Sequence, residues 1–217
     1  WTLESLNAGG SPLYGRFAWQ HRLRPFNYWY AGELAGFPSA YDRACAYGVF
    51  GGAPRYLAAI DPSRPLSDNI IALMLHPTGE VRELVRTALL QEQGLREIPK
   101  YMAILRAIGS GRTGLNEIAQ AAGLEKGTPL RDMIDRLIGL DYVRAERNLG
   151  AKRTSPYRYR ISDPAMRFYF DTVAPLESAL ATQDPAAIWQ EHVAPRFDTY
   201  MGRIFEAIVE EAYYRLQ

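Results

Sequence analysis

Between Ile98 and Asp163 the apolar period of the chain changes, and that change constrains the fold more than any other feature. "IPKYMAILRAIGSG" sets Tyr101, Ile104, Leu105 and Ile108 at i, i+3, i+4 and i+7, one apolar face of a helix. Gly109 and Gly111 end it. "TGLNEIAQAAGLEKG" turns Leu115, Ile118 and Ala119 inward and supplies Gly123 for a sharp turn. "TPLRDMIDRLIGLDYV" opens with Thr128 as N-cap and Pro129 at the first helical position. Its apolar face is Leu130, Met133, Ile134, Leu137 and Ile138. The period then falls to two: "VRAERN" and "YRYRISD" alternate as strands around "LGAKRTSP".

Helix, helix, turn, helix, strand, loop, strand is the order of a winged helix-turn-helix, which the spacing of small residues in "EIAQAAGL" resembles. The flanks are less regular. Residues 11–26 alternate near "FAWQHRLRPF" and read as a strand. Residues 37–90 read as short helices broken at Gly51–Pro54 and at Asp61–Pro65. Residues 171–217 read as two or three helices interrupted near Pro185 and Pro195. The expected class is mainly α: a helical lid, a winged helix with a small β wing, and a short remnant of an α/β core at the N-terminus.

At 217 residues the chain is long enough for one large or two small cores. No apolar run approaches the roughly 20 residues of a membrane helix, and "WTLESLNAGG" lacks the basic and apolar regions of a signal peptide. A lone Cys45 rules out an internal disulfide framework and suits the cytoplasm. His21, His76 and His192 lack ligand spacing, so no metal site is expected. The start at Trp1 and the end inside a helical pattern at Gln217 are expected of a piece of a longer protein.

Net charge is only +1, so affinity for nucleic acid needs a local patch. One exists. From Arg144 to Arg160 six basic side chains face Glu146 alone. Arg147, Lys152 and Arg153 at the hairpin are candidate phosphate contacts. The candidate recognition helix offers Arg131 and Arg136, but Asp132 and Asp135 oppose them, and no Asn, Gln or Lys is present to read base edges. The basic hairpin serves either duplex DNA or an acidic protein surface.

"YGVFGGAPRYL" (47–57) raises a separate question: why a helix break should be so apolar. Together with "SPLYGR" (11–16), "YRISDPAMRFYFDTVAP" (159–175) and "YMGRIFEAIVEE" (200–211), it resembles prokaryotic AAA+ ATPases related to the STAND class. In that family a winged helix and a nuclease-like region follow the ATPase core. The resemblance implies four stretches: 1–35 as the end of the core, 36–95 as the lid with its Gly-Gly-x-Pro turn, 96–172 as the winged helix, and 173–217 as linker helices and the first helix of the nuclease-like fold. It implies an adenine contact at Pro54, with Gly52 allowing the approach and Arg16 reaching a γ-phosphate or a neighbouring subunit. Glu206 matches the helical glutamate of the nuclease-like fold. From the residues alone, the turn reads rather as an interhelical kink packed on Tyr47 and Tyr56; the resemblance reverses that order.

No G-x-x-x-x-G-K-[ST] phosphate loop occurs, and no apolar strand ending in paired acids precedes Arg16. The expected cofactor, ATP with magnesium, therefore belongs to a full-length parent, and this chain alone binds none and turns over nothing. The expected partners are the parent's own N-terminal ATPase core, through which it would oligomerise, and double-stranded DNA at the wing. A stand-alone winged-helix DNA-binding regulator and an interaction scaffold are the alternatives.

Overall fold

Proline and glycine punctuation governs the helix boundaries. The computed structural model describes residues 23–92, 95–147, 152 and 154–215: a mainly helical chain with one two-stranded antiparallel sheet. Helix α1 (Tyr28–Ala35) is capped by Asn27, whose Oδ1 accepts from the amides of Trp29 and Tyr30, and closes at Gly36 with φ +76°. Helix α2 (Ala40–Phe50) is capped by Ser39 and ends at Gly51. Helix α3 (Pro54–Leu57) starts on a proline. Helices α4 (Leu66–Ile70) and α5 (Glu80–Ala88) complete the N-terminal helical unit. The breaks fall where they were expected, at Gly51–Pro54 and Asp61–Pro65. Residues 23–26 are irregular, and the rest of the expected strand at 11–26 lies outside the described residues.

Next come α6 (Ile98–Gly109), α7 (Leu115–Ala122), α8 (Thr128–Gly139), β1 (Val143–Glu146) and β2 (Arg158–Ile161). Their buried faces are those of the periodicity: Tyr101, Ile104, Leu105 and Ile108; Ile118 and Ala119; Leu130, Ile134 and Leu137. Gly123 ends α7 at φ +64°. One cap differs from the reading. Thr128 is the first helical residue, Gly127 precedes it in extended conformation, and no side chain caps α8. The strands pair with Val143 opposite Ile161 and Arg144 opposite Arg160. Tyr159 N–H also donates to Thr113 O at 2.8 Å, tying the turn before α7 to the outer strand.

The C-terminal part is α9 (Pro164–Phe168), α10 (Glu177–Leu180), α11 (Pro185–Ile188) and the long α12 (Ala194–Arg215). Pro185 opens α11, as its N1 preference predicts. Pro195 does not interrupt the helix. A π-turn, Trp189–Val193, leads directly into α12. The wider turn accommodates the N–H that Pro195 lacks. Another π-turn, Tyr169–Val173, lies just ahead of Pro175. Helix α2 sits centrally, packed on α1, α9 and α12, with Cys45, Ala46, Val49 and Phe50 buried. No helix among the described residues is long and apolar enough to cross a membrane.

Candidate functional site

Two glycines shape the turn after α2, each for its own reason. Gly51 has φ +66°, and a Cβ there would stand 3.1 Å from an Asp163 carboxylate oxygen. A Cβ on Gly52 would come within 1.8 Å of Phe26 O, because Phe26 N–H donates to Gly52 O at 2.8 Å. The surface that this apolar break approaches so closely is therefore the chain's own backbone at Phe26. Pro54, at the head of α3, is exposed. Leu23, Pro25, Ala53, Tyr56, Tyr142 and Asp163 line a 280 Å³ cleft beside the turn. The cleft joins the N-terminal helices to the hairpin unit.

Asp163 anchors this joint. Its Oδ1 accepts from Met166 N–H at 2.9 Å and caps α9. Burial raises its pKa, and the bonds from the Met166 and Ala165 amides oppose the rise. The Tyr56 phenol is pushed up to about 12, first by burial and then by the charge of Asp163. Across the cleft, Tyr142 O–H donates to Glu92 Oε1 at 2.7 Å. The cleft thus carries the half-buried Asp163 carboxyl beside neutral phenols and apolar walls, with the exposed Arg24 and Asp141 also lining it.

The basic residues form two further groups. Arg131 and Arg136 are exposed on α8, with Asp132 and Asp135 exposed on the same helix, so the two signs cancel locally. On the hairpin, Arg147 Nε donates to Ser155 O at 3.0 Å, and its guanidinium lies 3.9 Å from the centre of the Tyr157 ring. Lys152 is exposed. Arg144 and Arg160, opposite each other in register, both pair with Glu146, Arg160 at 2.8 Å. That carboxylate offsets a like-charge pair across the strands. Arg16 and Arg153 lie outside the described residues.

The structure keeps Gly52 and Pro54 on one turn, Arg131 and Arg136 on one helix, and Arg147 and Lys152 on one hairpin. Sequence reasoning missed Asp163, although "SDP" carries a cap signal: an Asp just before a proline at the first helical position. It also missed Arg167, half-buried on α9. Cys45 is fully buried, and burial raises its thiol to about 11, as befits a core residue. Glu206 is exposed on α12. Among the described residues no cluster of His, Cys, Asp and Glu could hold a metal. Compared with known proteins, the chain matches no family model, no curated protein and no solved structure.

Proposed function

We propose that this chain is the lid and winged-helix part of a prokaryotic STAND-like AAA+ ATPase, and that it couples nucleotide state to DNA or partner binding. One observation carries the reading. The Gly51–Pro54 turn contacts Phe26 on one side and Asp163 on the other, beside a 280 Å³ cleft and with Pro54 exposed. A nucleotide resting on Pro54 would press on the joint between the helical lid and the hairpin unit. Proline offers a rigid apolar ring with no N–H to satisfy, which suits a purine face. Arg16 is the proposed phosphate-side partner. ATP and magnesium would be held largely by a preceding core. The protein would be cytoplasmic and would assemble through that core.

The test is nucleotide titration of the protein expressed from its complete reading frame, wild type against Pro54→Glu. Position 54 is exposed and opens a helix, where an acidic residue is favoured, so the fold survives. The expected result is affinity weakened about tenfold or more, since a charge would be desolvated against the base. Unchanged affinity in the folded variant would return the turn to simple helix packing.

A second reading, a stand-alone winged-helix DNA-binding regulator, is favoured by the hydrogen bond from Tyr159 N–H to Thr113 O. It gives the hairpin a third short backbone partner, as such a module requires. The exposed Lys152, with Arg153, Arg147, Arg131 and Arg136, would then contact phosphates. Binding to duplex DNA should be weak and nearly sequence-independent. Removing Lys152 and Arg153 should flatten the slope of log K against log salt by about 0.9 per lost contact. An unaltered slope would assign the hairpin to an acidic protein surface.

A further inference from the structure

We propose that Arg167 is the centre of a binding site for a small phosphate-bearing anion, built where the hairpin, α9 and α12 meet. Arg167 is half-buried and makes no side-chain hydrogen bond or ion pair among the described residues. Its neighbours repeat its charge. A notch beside it is lined by Arg160 and Arg203, with Gly109, Gly111 and Thr113, and no carboxylate. Its other side opens into a 530 Å³ cavity that Arg144 and Arg147 also line. Arg203 spends one bond on Asp171 Oδ1 at 3.1 Å, and Arg160 spends its Nε on Glu146 at 2.8 Å. Each guanidinium has five N–H donors, so most donors in this cluster have no acceptor among the described residues.

An arrangement of this kind costs stability unless something answers it. Burial lowers the pKa of Arg167; the Tyr200 phenol opposes this, while the charges of Arg203, Arg160 and Arg144 push the same way as burial. The side chain nevertheless stays charged at neutral pH. Among the described residues, the ion pairs of these four arginines, from β1, β2, α9 and α12, are those with Glu146 and Asp171. A tetrahedral dianion supplies the missing acceptors in the fork geometry that arginine favours. The 530 Å³ cavity is also lined by Glu210 and Glu211. Those acids disfavour a polyanion running through the cavity and suit a compact ligand with one phosphate end. The site is therefore assigned to a phosphomonoester or inorganic phosphate, not to the phosphodiester backbone of DNA. The occupant would clamp the hairpin onto α12. This inference does not depend on the ATPase reading.

The experiment uses the whole chain, with inorganic phosphate as probe against chloride at equal ionic strength. Phosphate should raise the melting temperature of wild type and show saturable binding in calorimetry. Arg167→Met should abolish the phosphate response while leaving the protein folded in chloride. Arg64→Met, an equal charge loss at an exposed residue ahead of α4 that lines neither cavity, should leave the response intact. Arg167→Lys keeps the charge and loses the fork, so affinity should fall about tenfold without vanishing. Duplex DNA with 5′-hydroxyl ends should not compete with phosphate. A phosphate response that survives in Arg167→Met, or that chloride reproduces in wild type, overturns the proposal. Effective competition by the duplex overturns the assignment to a small anion.

Discussion

At Gly52 a single methyl group decides whether the turn between α2 and α3 closes. The atom a Cβ would meet is Phe26 O at 1.8 Å, with Phe26 C and N both at 2.8 Å. Backbone cannot rotate aside as a flexible side chain can. Gly52→Ala should therefore cost about 3 kcal/mol, near the upper end for overpacking, measured by urea denaturation. Larger side chains at 52 test folding before they test a ligand, which is why Pro54 is the better probe of nucleotide contact. Asp163 gives a second prediction at this scale. Its raised pKa means that the folded state holds the proton more tightly than the unfolded chain does. Stability then falls as pH rises from the ordinary value of 3.8 towards the raised one. Asp163→Asn keeps the cap acceptor and removes the titration. Its stability should lose less than wild type's over that window, read from denaturation midpoints across a pH series. Glycines at 51 and 52 were legible in the sequence as a break. Their contacts were not, because Phe26 and Asp163 lie far along the chain and no local pattern encodes such a meeting.

Among the elements, the hairpin was the most legible. Alternation around "LGAKRTSP" located both strands, although only Val143 and Ile161, opposite each other in register, are buried. The use made of its charges was hidden. Arg147 reads as a free phosphate contact, yet it is tied to Ser155 O and stacked on Tyr157. Removing it should loosen the tip as well as subtract a charge. Arg147→Lys separates these effects by keeping the charge and losing the stack and the fork. Amide exchange near Ser155 should quicken about fivefold, the equivalent of ~1 kcal/mol, while the salt dependence of any DNA binding stays the same. Unchanged exchange would mean that the stack contributes nothing to the tip. The helices show the complementary limit. Pro195 is a sound breaker signal by propensity. Here the π-turn Trp189–Val193 carries the chain past it into α12, and the register that makes this room is set by burial of Trp189, Val193, Tyr200 and Met201.

In the whole molecule, α2 near one end of the described chain and α12 at the other are joined by a buried hydrogen bond. Tyr200 on α12 donates its O–H to Gly48 O on α2 at 2.8 Å, and its ring meets Phe168 of α9 edge-on at 5.3 Å. Burial drives the phenol's pKa far up, so it remains a donor across the accessible pH range. Gly48 leaves room for α12: a Cβ there would fall 2.8 Å from Met201 Sδ. Tyr200→Phe keeps the ring and strands the Gly48 carbonyl, at a cost of about 1–2 kcal/mol. The melting temperature should drop by roughly 2–4 °C for each kcal/mol in a chain of this size. Cys45, fully buried on α2 and the one cysteine of the sequence, reports where that energy is lost. Its thiol is shielded while α12 stays docked, and burial holds its pKa at about 11. Labelling by a thiol reagent therefore requires opening, and its rate should rise about tenfold for each 1.4 kcal/mol of destabilisation. If α2 and α12 open only with global unfolding, the free-energy change from labelling equals that from denaturation. Labelling that accelerates much more than the denaturation result allows would mean that α12 lifts from α2 on its own.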